Sequence, residues 1–302
     1  MRRGLVLGCG GTVGSAWQVG ALAAIEAAWQ WDPRTAAVIV GTSGGASLGA
    51  MLGAGVGVEE MVAGQSGEAD ARASVRHFFT KPPAPLPALP IGLPLGRLAM
   101  QGLRRRRRLM ALAGLAPPGR TRPDFLDRLT KDLSVTHPAV WQVAVEVRSG
   151  ERVAFGAPGA PPASLSAAVR ASWAVPGWYP PVTIGGRCYL DGGVSSTASA
   201  DLVRDLTLDE VLVVAPMASA AGVRIGGVGG RLESVMRKPM SRGLDREIAL
   251  LEAAGTRVAR LCPSAAELAE MGPNFMDPRR RLPAMRAALR HVPARLSEGA
   301  RQ

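Results

Sequence analysis

The chain is 302 residues long, 47% hydrophobic and 20% charged, which excludes a disordered protein and allows a substantial buried core. Its formal net charge of +12 rests almost wholly on arginine, since Lys81, Lys131 and Lys238 are the only lysines; such a surface suits anionic lipid or nucleic acid, or reflects base composition alone. Three scattered cysteines (Cys9, Cys188 and Cys262) without a C-x-x-C pair argue against a zinc site or disulfide framework and for a reducing compartment, and no run approaches the ~18 apolar residues of a membrane span.

The first residues, MRRGLVLGCGGTVG, place two arginines before an apolar run. Only Gly4 to Gly8 separate Arg3 from Cys9, too few for the ~7–15-residue core of a secretion signal, so this N-terminus is expected to be mature and folded. Leu5-Val6-Leu7 reads as a short buried strand running into glycines. From Ser15 to about Trp31, Ala, Val, Leu and Ile recur at helical spacing, and Pro33 stops the pattern. Ala36–Val40 predicts a second buried strand, Gly41-Thr42-Ser43-Gly44-Gly45 a turn, and Ala46 to Leu52 a helix. This β-α-β-α order predicts an α/β fold, a three-layer α/β/α arrangement around a mainly parallel sheet.

Residues 81–122 break the alternation, first rich in proline and then carrying five consecutive arginines, Arg104 to Arg108. Two readings stay open: an insertion over the site that touches a membrane surface, or a proline-rich connector followed by a solvated basic helix face. After Pro123, WQVAVEV and RVAF flank Ser149-Gly150-Glu151 as a hairpin, and Leu165 to Trp173 reads as a helix. RCYL leads as a strand into Asp191-Gly192-Gly193, and Glu210–Pro216 is a further buried strand. A helix from about Leu232 to Ala254, a strand Arg257–Leu261 and a basic helical tail complete the pattern. No internal repeat or domain boundary stands out. The expectation is one domain over 1–302, with a core at about 5–216, the 81–122 insertion and a 217–302 extension that is helical with one strand.

Gly41 to Gly45 fits G-x-S-x-G, which sets Ser43 on a sharp strand-to-helix turn, where its neighbours must be small and a helix N-terminus favours developing negative charge. A serine nucleophile needs a base. His77, His137 and His291 are the histidines, and Ser43, Asp191 and His291 would give a Ser-Asp-His order, but no loop signature surrounds His291. Asp191 ends a strand and is followed by Gly192 and Gly193; a partly buried aspartate beside a serine can accept its proton. Taken alone, Asp-Gly is equally a common turn pair. A dinucleotide reading of the first glycines fails, because Gly8, Gly10 and Gly14 do not give G-x-G-x-x-G and no acidic residue ends the second strand.

The early glycine loop, the G-x-S-x-G after the second strand and the late D-G-G occur in one order. With the intervening AVRASWAVPGWYPPVTIGGRCYLDGGV (Ala168–Val194), they resemble the patatin-like phospholipases over about Leu5 to Pro216. The resemblance implies a catalytic dyad of Ser43 as nucleophile and Asp191 as base, without histidine. It also implies an oxyanion hole from the glycine loop, with Gly10, Gly11, Thr12 and Gly44 as donors and Gly14, Gly41, Gly45, Gly192 and Gly193 as motif glycines. Three departures stand out: Cys9 replaces the first glycine of the loop, Val13 stands where Arg or Lys is usual, and the spacing to Gly20 is one residue longer.

The expected activity is therefore that of a serine acyl hydrolase cleaving lipid esters, of phospholipase A or lysophospholipase type, through an acyl-enzyme. Acyl transfer by the same dyad, or an idle lipid-binding protein, are the alternatives. No metal or other cofactor is expected, because no carboxylate cluster or His pair has ligand spacing. The expected partners are a lipid or phospholipid substrate and an anionic membrane touched peripherally, not nucleic acid. The expected location is the cytoplasm or its membrane face.

Overall fold

A computed structural model describes residues 1–83, 86, 94–105, 107–219 and 227–299. In chain order the elements are β1 (Arg3–Leu7), α1 (Gly11–Trp29), β2 (Val38–Thr42), α2 (Gly44–Gly53), α3 (Val58–Ser66), α4 (Ala73–Thr80), α5 (Gly96–Arg104) and α6 (Arg108–Leu115). There follow α7 (Asp124–Lys131), β3 (Val140–Glu146), β4 (Arg152–Phe155), α8 (Leu165–Ser172), β5 (Val182–Ile184), β6 (Arg187–Asp191), β7 (Glu210–Val214), α9 (Gly227–Ala253), β8 (Arg257–Leu261), α10 (Ala265–Met271) and α11 (Arg281–Gly299). Among the described residues these strands form one sheet in the order β5-β6-β3-β2-β1-β7-β8, with β4 also paired to β3. The pairs β3–β2, β2–β1, β1–β7 and β7–β8 are parallel, whereas β4 and β6 run antiparallel to β3 and β5 antiparallel to β6.

The central strands read as unbroken apolar runs because both their faces are covered. Leu5, Leu7, Ile39, Leu212 and Val214 enter one core, built with α1, α2, α3, α4, α7, α8, α10 and α11. Val6, Val38, Val40, Val211 and Val213 enter the other, under Leu244 and Leu251 of α9. Each such side chain, fully withdrawn from water, contributes about 1.5–3 kcal/mol. Helices α5 and α6 join this second layer, where Leu98 and Met110 pack on Val145 and Leu190.

The mainly parallel three-layer sheet is the one expected, with several boundaries moved. Helix α1 begins at Gly11, so Gly11 to Gly14 of the expected Cys9–Gly14 loop are helix. Strand β2 runs to Thr42 and α2 starts at Gly44, leaving Ser43 alone between them. The sequence pattern ends this strand at Val40; the pairing of Gly41 with Gln142 and of Thr42 with Val143 carries it two residues further. Strand β5 was not foreseen. Its signal is Gly185-Gly186, both at positive φ, the two-residue turn that closes a hairpin onto β6. Within 81–122, most of the proline-rich stretch and Arg106 lie outside the described residues. The remaining arginines of the run do not share one face: Arg104 ends α5, Arg108 begins α6, and Arg105 pairs with Glu151 at 2.5 Å.

Candidate active site

Ser43 sits at φ 56°, ψ −121°, a region sparsely populated by residues with a Cβ and costing about 1–3 kcal/mol. The turn is braced from α8: the Ser43 N–H donates to Ser172 Oγ at 2.8 Å, and Ser172 Oγ donates to the Val143 carbonyl at 2.7 Å. One residue on, Trp173 Nε1 donates to Ser47 Oγ of α2 at 2.7 Å. The turn also needs Gly45, because a Cβ there would lie 2.2 Å from the Leu7 carbonyl oxygen at the end of β1.

Two strand registers bring Asp191 to this turn. Thr42 pairs with Val143 on β3, and the next residue of β3, Ala144, pairs with Asp191 on β6. Because β6 arrives antiparallel, its last residue stops level with the end of β2 rather than at the far rim. Gly192 then passes so close that a Cβ would stand 2.7 Å from the Val143 oxygen. The Asp191 carboxylate meets the Ser43 side chain and accepts the Gly193 N–H at 2.7 Å. Both side chains are buried, at 2% and 4% exposure. Burial dominates the carboxyl's chemistry: it pushes the pKa up to about 7, and the hydrogen bonds from Ser43 and Gly193 only partly pull it back. Ser43 and Asp191 are thus brought together as the sequence reading expected.

The glycine loop reaches the same place from the other side. The position of a Cβ on Gly44 would lie 2.7 Å from the Gly11 oxygen and 3.4 Å from the Gly11 nitrogen, so the N-termini of α1 and α2 converge beside Ser43. The first N–H groups of a helix have no partner within it, and both helix dipoles favour negative charge there. The Val13 and Gly14 N–H groups are committed elsewhere, to Phe275 and Gly10 carbonyls at 3.0 and 2.8 Å. Among the described residues, no backbone carbonyl outside the helices accepts the N–H groups of Gly10, Gly11, Thr12 and Gly44. Gln18, fully buried, pins the loop's entry by donating to the Gly8 and Val214 carbonyls, both at 3.0 Å.

The departures at Cys9 and Val13 acquire structural reasons. The Cys9 thiol lies beside the D-G-G turn, and burial followed by the Asp191 charge pushes its pKa up, so it stays protonated. Val13 is in the main core with 1% exposure, where no cation fits. The cation behind the loop is instead Arg237 of α9, which donates to the Pro216 carbonyl at 2.8 Å and acts electrostatically on Cys9. Sequence reading missed Ser172, Gln18 and Arg237. Ser172 lay in the stretch singled out before the D-G-G, but nothing in the sequence marks the other two.

The histidines serve elsewhere. His291 lies on α11, which packs chiefly along α1 and α10, and His77 lies on α4. The ring of His137 spans the backbone, with the Ala139 N–H on Nδ1 at 3.1 Å and Nε2 facing the Ala36 carbonyl at 2.7 Å. Thr12, Ser15, Phe78, Phe79, Phe125, Trp173 and the charged Arg281 line a cavity at the first turns of α1. Phe125 and Trp173 meet edge-on within it, with centroids 5.4 Å apart. A hydroxyl against a buried carboxylate, free helix-terminal N–H groups and an aromatic wall together suit attack on an apolar ester.

Among solved structures, the chain is similar to the crystal structure of VipD from Legionella pneumophila at 15% identity, covering 98% of this chain and 67% of that one with a TM-score of 0.44. No curated protein matches it. A family model described as patatin-like phospholipase matches residues 5–204, nearly the stretch over which the motifs carry the resemblance. The chain belongs to the patatin-like phospholipase family, and with it to the lipid acyl hydrolases.

Proposed function

We propose that this protein hydrolyses phospholipid or lysophospholipid acyl esters with Ser43 as nucleophile and Asp191 as its only general base. The observation that carries the reading is the placement of Ser43, on its strained turn, level in the strand register with the buried Asp191 carboxylate. Ser43 Oγ attacks the ester carbonyl as its proton passes to Asp191, and the carbonyl oxygen becomes an oxyanion. The N–H groups of Gly10, Gly11, Thr12 and Gly44 receive that charge without reorganising. Asp191 then protonates the departing alcohol, leaving the acyl group on Ser43. Water attacks this acyl-enzyme, gives its proton to Asp191, and the fatty acid leaves as Ser43 regains the proton. The acyl chain lies against Phe78, Phe79, Phe125 and Trp173, which exclude water from the reacting carbonyl.

The test is labelling by a fluorophosphonate probe, alongside fatty-acid release from phosphatidylcholine and lysophosphatidylcholine. Wild type is labelled and releases fatty acid; Ser43→Ala and Asp191→Asn do neither. Labelling that persists in Ser43→Ala would overturn the assignment of the nucleophile. Full release by Asp191→Asn would overturn the base.

A further inference from the structure

Helices α5 and α6 carry one pattern twice. Leu98-Ala99-Met100-Gln101-Gly102-Leu103 and Met110-Ala111-Leu112-Ala113-Gly114-Leu115 match in character at every position but Gln101 against Ala113, a short repeat that the sequence reading did not find. Each copy divides into three faces. Leu98 and Met110 are fully buried against Val145, Leu190 and Val194. The small residues join the helices: a Cβ on Gly102 would sit 2.2 Å from the Ala111 nitrogen, and one on Gly114 would sit 2.1 Å from the Ala99 nitrogen. Such close backbones make the pair one flat, stiff unit. The third face, Met100 and Leu103 with Leu112 and Leu115, points outward at 53–70% exposure.

This outward face runs against the usual rule, by which a surface helix turns polar residues to water. Half of the exposed large hydrophobic side chains of the described residues lie on it. Arg97, Arg104 and Arg108 are exposed around it and have no ion-pair partner among the described residues. No Asp or Glu occurs between Asp70 and Asp124, so nothing acidic in that whole stretch offsets them. The unit is also clamped next to the candidate site. Arg105 pairs with Glu151, Gln101 Nε2 donates to the Arg148 carbonyl at 3.3 Å, and Arg107 donates to Ser195, four residues past Asp191.

We propose that the α5–α6 hairpin is a membrane-docking element that holds the chain on an anionic bilayer. Met100, Leu103, Leu112 and Leu115 enter the boundary between headgroups and acyl chains, while Arg97, Arg104 and Arg108 meet lipid phosphates. Among the described residues no helix is long and apolar enough to cross a membrane, so the hairpin lies in the interface. Charge complementarity selects the occupant: a basic rim around an apolar face fits an anionic lipid surface. This rests on the lipid-hydrolase reading of the site, because docking matters to an enzyme whose substrate sits in a bilayer.

The experiment is co-sedimentation of the full chain with vesicles of phosphatidylcholine alone or mixed equally with phosphatidylglycerol, at low and high salt. It is paired with turnover of vesicle phospholipid and of a water-soluble short-chain ester. The double variant Leu103→Ser/Leu115→Ser and the triple variant Arg97→Gln/Arg104→Gln/Arg108→Gln are compared with wild type. Wild type binds the mixed vesicles in a salt-sensitive way. The leucine variant loses about 100-fold in binding and at least about ten-fold in vesicle turnover, with soluble-ester turnover unchanged. The arginine variant loses the preference for anionic vesicles. Wild-type levels of binding and vesicle turnover in both variants overturn the proposal. So does a wild type that cleaves the soluble ester but ignores anionic vesicles, which would leave the face to a protein partner. Vesicle binding by a chain that cleaves neither substrate would instead overturn the hydrolase reading and leave the docking surface standing.

Discussion

Replacing Asp191 by Asn removes a charge and almost nothing else in shape, so its effects on stability and on activity separate. In the folded chain burial pushes the carboxyl pKa up to about 7, against an ordinary value of 3.8. Between those values the folded state holds a proton that the unfolded state has released, so stability falls as pH rises from about 4 to about 7. Below pH 4 both states are protonated and the penalty vanishes; above pH 7 it is complete. A difference of about three units at about 1.36 kcal/mol each makes the ionised Asp191 cost about 4 kcal/mol at pH 8. Asp191→Asn keeps an oxygen acceptor for the Gly193 N–H and avoids that cost. At about 2.1 cal/mol/K per residue, this chain of 302 residues turns 4 kcal/mol into a Tm about 6 °C above wild type at pH 8, shrinking toward zero at pH 4. The assay is thermal unfolding of both proteins from pH 4 to pH 8, compared as a difference so that other titrating groups cancel. A difference that does not change with pH, or that grows toward acid, would refute the desolvated carboxylate. The same pKa gives an activity signature: only the ionised form takes the serine proton, so wild-type kcat/KM rises with pH to a plateau above about 7.

Two further substitutions probe what holds the turn. Ser172→Ala leaves the Ser43 N–H and the Val143 carbonyl buried without their partner, and is expected to lose about 2–4 kcal/mol in urea unfolding. As the turn relaxes, kcat falls about ten- to a hundred-fold; unchanged kcat would show that α8 does not position the serine. Val13→Arg, which restores the cation of the family pattern, is expected to destabilise by about 3 kcal/mol or more and to raise no activity, because the residue lies inside the main core. A stable, faster variant, read by Tm and kcat, would show that the loop lacks a cation despite Arg237.

The elements that pair or pack along short stretches were legible in the sequence. Leu5–Leu7 and Val211–Val214 are unbroken apolar runs, Arg257–Leu261 alternates less cleanly around Val258 and Leu261, and each became a strand close to its expected bounds. The G-x-S-x-G and D-G-G were legible for a different reason: a strained turn and a close backbone approach admit few residue types, so composition betrays geometry. Tertiary structure decided what depends on residues far apart. Whether Asp191 lies level with Ser43 is set by two strand registers, and registers follow from core packing on both faces of the sheet. The buried state of Asp191, which sets its proton affinity, is a property of everything around it and of nothing in its own segment. Gln18, Ser172 and Arg237 reach the site from α1, α8 and α9, and their side-chain bonds carry no local pattern. Residues 94–115 show the division most plainly: the sequence supplied leucines, glycines and arginines without direction, and only the crossing of two helices sorted them into a buried, a joining and an outward face.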